Sequence, residues 1–118
     1  MTCALAVVGS RNFTDYDLMF QVVSLRMPHR IVSGGAPGAD TLAESVAAEL
    51  HISCQVYRAA WARHGKAAGF LRNQLLVDTA TELVAFYGPN GPTPGTRDSV
   101  ARARKKGIPV SEYHQEAE

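Results

Sequence analysis

Three short stretches of this 118-residue chain combine residue types suited to holding an anion. Gly9-Ser10-Arg11-Asn12-Phe13 follows an apolar run. There Gly9 permits a tight exit, Ser10 offers a hydroxyl, and Arg11 presents a planar fork that fits phosphate or carboxylate. Ser33-Gly34-Gly35-Ala36-Pro37-Gly38-Ala39-Asp40 is glycine-rich and leads into a helical pattern. Small residues in such a turn let an anion approach the amides of Gly34, Gly35 and Gly38 at a helix start, and Asp40 stands where a cap or a dipole partner would. Gly95-Thr96 opens another helical segment in the same way. Neither glycine turn is a Walker A loop, since no Lys-Ser/Thr follows Gly38, and the GxGxxG dinucleotide fingerprint is absent.

Other candidates for chemistry surround these turns. Arg72-Asn73 is a charged and amide pair inside an otherwise apolar helical stretch, and Arg58-Ala59-Ala60-Trp61-Ala62-Arg63-His64-Gly65-Lys66 adds three cations and the only tryptophan. A tryptophan there either plugs a core or stacks on a base. No metal or other cofactor is expected: His29, His51, His64 and His114 show neither HxH nor HExxH spacing.

The elements that must position these groups follow from the apolar pattern. Continuous apolar runs at Cys3–Val8, Arg30–Val32, Ile52–Tyr57, Glu82–Tyr87 and Ile108–Val110 predict five strands buried on both faces. Between them lie four helices. The first, after Thr14-Asp15-Tyr16-Asp17, places Leu18, Val22 and Leu25 on one face. The second starts near Ala39 with Leu42, Val46 and Leu50, and the third runs from about Lys66 to Thr79 with Leu71 and Leu75. The fourth starts at Thr96, turns Val100 and Ala103 inward, and stops at Gly107. Such alternation predicts an α/β, three-layer, Rossmann-like domain with a parallel sheet in the order 3-2-1-4-5. Its ligand crevice lies beyond the carboxyl ends of the strands, where the order reverses between strands one and four. One domain spans residues 1–113, and residues 114–118 form a polar, frayed tail.

Composition narrows the class of function. Twelve Lys+Arg oppose eleven Asp+Glu for a net charge of +1, so an anion site must come from local placement rather than from the field of the whole molecule. Arg11, Arg58, Arg63, Lys66 and Arg72 all map to one sheet edge. The Arg102, Arg104, Lys105, Lys106 group instead ends a helix, where cations favour the dipole. The longest apolar run, Ala4 to Gly9, is far below the roughly 20 residues of a membrane span, and no basic region precedes it as in a signal peptide. Cys3 and Cys54 lack CxxC spacing, read as buried thiols, and fall on strands about 9–10 Å apart, beyond the reach of a disulfide. These features predict a cytoplasmic protein without a membrane partner.

The motifs resemble the SLOG superfamily, the Rossmann-like group that includes DprA/Smf and the LOG cytokinin-activating enzymes, and most of all its YspA/YpsA-like branch. The carriers are Gly9 to Asp15, Ser33 to Asp40, Trp61, Gly65 to Gly69, Arg72-Asn73, Asp78, Gly95-Thr96 and Gly107 to Val110. The resemblance implies a pocket for a nucleotide or nucleotide-derived ligand at the carboxyl edge. The branch usually carries a short Gly-x-Ser-x-Gly-Thr loop, where this chain has a longer proline-rich insert between Gly88 and Gly95 with Thr93 replacing the serine. Arg72 matches the place of the LOG catalytic arginine, whereas the LOG glutamate position is Ser99, next to Asp98.

Three functions are compatible with these residues. The first is a nucleotide-binding module, a sensor of nucleotide-derived signals, in which Ser10, Arg11, Gly34, Gly35 and Gly38 hold phosphate, Arg72, Asn73 and Thr96 orient the sugar or a second phosphate, and Gly9, Asp40 and Gly95 complete the ligand-binding set. The second, which the LOG resemblance implies, is a phosphoribohydrolase acting on nucleoside monophosphates, with Arg72, Asp98 and Asp40 as catalytic candidates, since an oxocarbenium-like state needs a nearby carboxylate. The third is a DprA-like binder of single-stranded DNA, which the low net charge disfavours. A homodimer is compatible with so small a domain.

Overall fold

The computed structural model describes residues 3–116, with residue 66 described in its backbone alone. Its centre is β1 (Ala4–Gly9), whose side chains alternate between two apolar layers. Leu5 and Val7 face one cluster, while Ala6 and Val8 face the other. A strand covered on both faces must be apolar at every position, which is why Ala-Leu-Ala-Val-Val reads as a continuous run. β2 (Arg30–Ser33) and β4 (Glu82–Tyr87) flank it in parallel, so Ala6 pairs with Val32 on one side and Leu83 on the other. β3 (Ser53–Val56) and β5 (Val110–His114) close the edges, giving the sheet order β3-β2-β1-β4-β5. The fold is the α/β Rossmann-like architecture read from the sequence. The edge strands are not buried on both faces, however: β3 alternates exposed and half-buried residues because nothing pairs beyond it.

Two helices cover each face. α1 (Tyr16–Arg26) and α2 (Ala39–Glu49) pack on the Leu5/Val7 side, and α4 (Ala68–Thr79) and α5 (Pro94–Lys106) on the Ala6/Val8 side. Among the described residues there are five α-helices rather than four. The addition is α3 (Trp61–His64), a single turn that passes through a 3-10 turn (Gly65–Ala67) into α4. Four residues cannot display a helical period, so the pattern gave no sign of it.

Which face turns inward also differs from the sequence reading. In α1 the inner stripe is Met19, Val22 and Val23, and Leu25 is 83% exposed. The Arg26 guanidinium anchors that orientation, since its Nε donates to Glu82 on β4 at 2.9 Å and a terminal nitrogen donates to the Tyr113 hydroxyl at 3.0 Å. In α4 Leu76 and Val77 are buried, whereas Leu71 and Leu75 lie on the exposed face. α2 buries mainly Ala39, Ala43, Val46 and Ala47, with Leu42 and Leu50 packed at the rim. α5 begins at Pro94, two residues before the expected Thr96, because Thr93 supplies the N-cap and proline suits the first helical position.

Two further corrections concern the ends and the thiols. His114 belongs to β5, and the Gln115 amide donates to the Tyr87 carbonyl at 2.8 Å while its side chain grips Thr14. The docked chain therefore runs beyond the 113 boundary, and of the expected tail residues 117 and 118 lie outside the described part. Cys3 and Cys54 are free but half-buried instead of buried, and Cys3 lies just before β1 while Cys54 is on β3. The basic end of α5 contacts neighbouring elements, Arg104 reaching Glu112 on β5. Lys106 Nζ donates to the carbonyls of Val77, Asp78 and Ala80, capping α4 rather than its own helix.

Candidate functional site

At the carboxyl ends of the strands a cleft of about 600 Å³ opens between the β2–α2 loop, α4 and the start of α5. Val8 and Gly9 form its floor at the end of β1. Gly34, Gly35, Ala36 and Pro37 make one lip, and Thr93, Pro94, Gly95 and Thr96 make the other. Gly69, Arg72, Asn73 and Leu76 project from α4 between them, at the i, i+3, i+4, i+7 spacing of one helical face. Of the predicted ligand residues, Gly9, Arg11, Gly34, Gly35, Asp40, Arg72, Asn73, Gly95 and Thr96 all line this cleft. Ser10 and Gly38 are not among the lining residues.

The Arg72-Asn73 pair connects the lips. Arg72 Nη1 donates to the Gly34 carbonyl at 2.6 Å and Nε to Asn73 Oδ1 at 2.8 Å. Asn73 is buried, and its amide nitrogen donates onward to the Gly95 carbonyl at 3.2 Å and to Asp98 Oδ2 at 3.0 Å. A Cβ at Gly34 would lie 2.8 Å from the Arg72 guanidinium carbon, so a side chain there would push the guanidinium from its seat on the Gly34 carbonyl. Gly38, at φ +85°, packs against the Ser10–Arg11 peptide, where a Cβ would meet the Ser10 carbonyl oxygen at 2.5 Å. It thus shapes the first loop against the second.

Ser10 is fully buried and serves the frame. Its hydroxyl donates to the Gly91 carbonyl at 2.9 Å and accepts from the Gly88 amide at 3.0 Å, clamping the proline-rich insert so that only its Thr93 end reaches the cleft. The Thr96 hydroxyl is likewise committed, donating to the Gly9 carbonyl at 3.0 Å.

Asp40 is the single carboxylate among the described lining residues. It is only 7% exposed, and its Oδ2 accepts from the Ala36 amide at 3.1 Å. The glycine-rich turn thus already holds an anion, the chain's own carboxylate. Burial lifts the Asp40 pKa to about 6, against the opposing pull of the Ala36 amide, the Arg72 charge and the Gly34 amide. Asp98 is differently placed: Arg102 Nε binds its Oδ2 at 2.7 Å, and it is not among the lining residues. Ser99, buried one residue on, does line the cleft.

Cations gather at one rim. Arg11 and Arg58 are exposed there, with Arg58 Nη1 donating to the Gly35 carbonyl at 3.2 Å and lying 4.0 Å from Glu44. Arg63 stands on α3 outside the lining, and the Lys66 side chain lies outside the described part. Phe70 is a lining residue that sequence reading missed. Its place two positions before Arg72-Asn73 on the same helix is the signal that could have found it.

Comparison with known proteins adds two findings. The YspA, cpYpsA-related SLOG family (YAcAr) matches residues 4–64, the half that carries β1, the glycine-rich turn and Asp40. The Gene 61 protein of Mycobacterium phage D29 is 32% identical over 118 residues, an alignment covering 91% of this chain and 93% of that protein.

Proposed function

The chain belongs to the YspA, cpYpsA-related SLOG family, and from that premise we propose that its cleft binds a nucleotide or a nucleotide-derived phosphate ligand as a sensing module. The observation that carries this reading is the convergence of Arg11, Arg58 and Arg72 on one cleft in a molecule of net charge +1. Arginine forks match phosphate oxygens in pairs, and a half-enclosed site weakens the competition from water. Arg11 and Arg58 at the rim contact the phosphate. Arg72 and Asn73, fixed by the two lips, set the ligand's orientation, while Ser10 and Gly38 keep the loops in register. A cleft of about 600 Å³ suits a mononucleotide or dinucleotide-sized ligand better than a strand.

Calorimetric titration with AMP, ADP-ribose and NAD tests the reading. At least one should bind, and Arg11→Ala or Arg72→Ala should weaken it roughly tenfold or more, as expected for a lost charged hydrogen bond. Absence of binding across the panel would refute it.

One observation favours a second reading, the phosphoribohydrolase. Asp40 faces the cleft with a pKa of about 6, which suits a group exchanging protons near neutral pH. Ser99 stands where the resembling LOG enzymes carry a glutamate, so Asp40 would be the acid available. Chromatography of the same nucleotide incubations separates the two: intact nucleotide supports the binding module, and free base the hydrolase.

A further inference from the structure

We infer that Trp61 and Phe70 form a subsite for the planar aromatic base of the ligand, so that the cleft selects nucleotides over sugar phosphates. The inference rests on the reading of the cleft as a phosphate-ligand site and adds what recognises the rest of the ligand. Trp61 is 60% exposed and Phe70 54% exposed, yet both line the cleft. Two large aromatic side chains left this open beside one concavity offer apolar surface to a planar ligand.

The indole is also built in. A Cβ at Gly69 would lie 3.3 Å from Trp61 Cη2, tighter than ordinary contact, so the absence of a side chain at 69 lets the ring lean against α4. Gly69 and Arg72 share the cleft-lining face of α4, one turn apart, roughly 5 Å along the axis. The ring resting by Gly69 and the Arg72 guanidinium thus belong to one face of one helix, so a single ligand can meet both. Arg58, three residues before Trp61, holds the Gly35 carbonyl and brings the β3–α3 segment to the same lip.

Because Trp61 is the only tryptophan beside four tyrosines, emission excited at the red edge, where tyrosine does not absorb, reports on this subsite. The experiment titrates AMP and ribose 5-phosphate into the wild type by fluorescence, and into the wild type, Trp61→Ala and Trp61→Phe by calorimetry. AMP should alter the Trp61 emission, and ribose 5-phosphate should alter it much less. Trp61→Ala should lower the ratio of AMP to ribose 5-phosphate affinity about tenfold, and Trp61→Phe should retain most of it. Equal affinities for the two ligands, unmoved by Trp61→Ala, would overturn the inference and leave the phosphate site standing. Failure of both ligands to bind would remove the underlying reading and this inference with it.

Discussion

Asp40 holds its place at the expense of the fold. A carboxyl group that is 7% exposed and titrates at about 6 instead of 3.8 binds more protons folded than unfolded between those values. Stability contributed at this position is therefore greatest below about pH 4 and declines as pH rises through about 6. At neutral pH the penalty is on the order of 3 kcal/mol by the size of the shift. Asp40→Asn keeps an acceptor for the Ala36 amide and removes the buried charge. It should raise the urea unfolding midpoint at pH 7.5, by about 1–3 kcal/mol in stability, and flatten the decline between pH 4.5 and 6.5. An unchanged midpoint would show that the carboxylate is better solvated than its surroundings imply. Retaining a costly acid inside a cationic cleft is the pattern expected of a functional group. Its residue type and its position after a glycine turn were legible in the sequence. That it would occupy the turn's own amides was not, because any helix-starting Asp reads equally well as a cap.

At the scale of elements, connections decide what the cleft looks like. The central strands were readable because two-sided burial leaves an uninterrupted apolar signature, and Arg72-Asn73 stood out as a polar pair on an apolar helix. The faces of α1 and α4 were not readable. Leucines four or seven apart share a side, but such spacing does not say whether that side meets the sheet, and here Met19, Val22, Leu76 and Val77 do. Ser10 taught a related lesson, since a hydroxyl that can bind phosphate can equally clamp a loop. Ser10→Ala would strand the Gly88 amide, and it would release Gly91. It should cost about 1–3 kcal/mol in urea denaturation, and it should loosen the Thr93–Thr96 lip enough to weaken AMP binding in the same titrations. A variant as stable as the wild type would mean that the insert is held by other contacts.

For the molecule as a whole, charge balance is the informative property. The sheet order was foreseeable from alternation and crossover handedness, and so was the edge that carries the site. The gathering of Arg11, Arg58 and Arg72 at one sheet edge was legible too, because the loops that carry them leave one end of the strands; that they line a single cleft while Arg63 stands outside it required the fold. With a net charge of +1 there is little long-range field to screen. AMP affinity should accordingly fall less than about tenfold between 50 and 200 mM salt, whereas a protein tracking six or more phosphates loses roughly a thousandfold or more. Fluorescence titration at the two salt concentrations checks this, and a steep loss would favour the strand-binding alternative.

The bridge made by Arg72 and Asn73 has a mechanical consequence. Neighbouring side chains on a single stiff rod hook opposite rims of the opening, one at Gly34 and one at Gly95. The rims therefore cannot gape independently: a guest that pries at either tugs its counterpart through the shared crossbar, and the width of the mouth is governed by how that rod is seated.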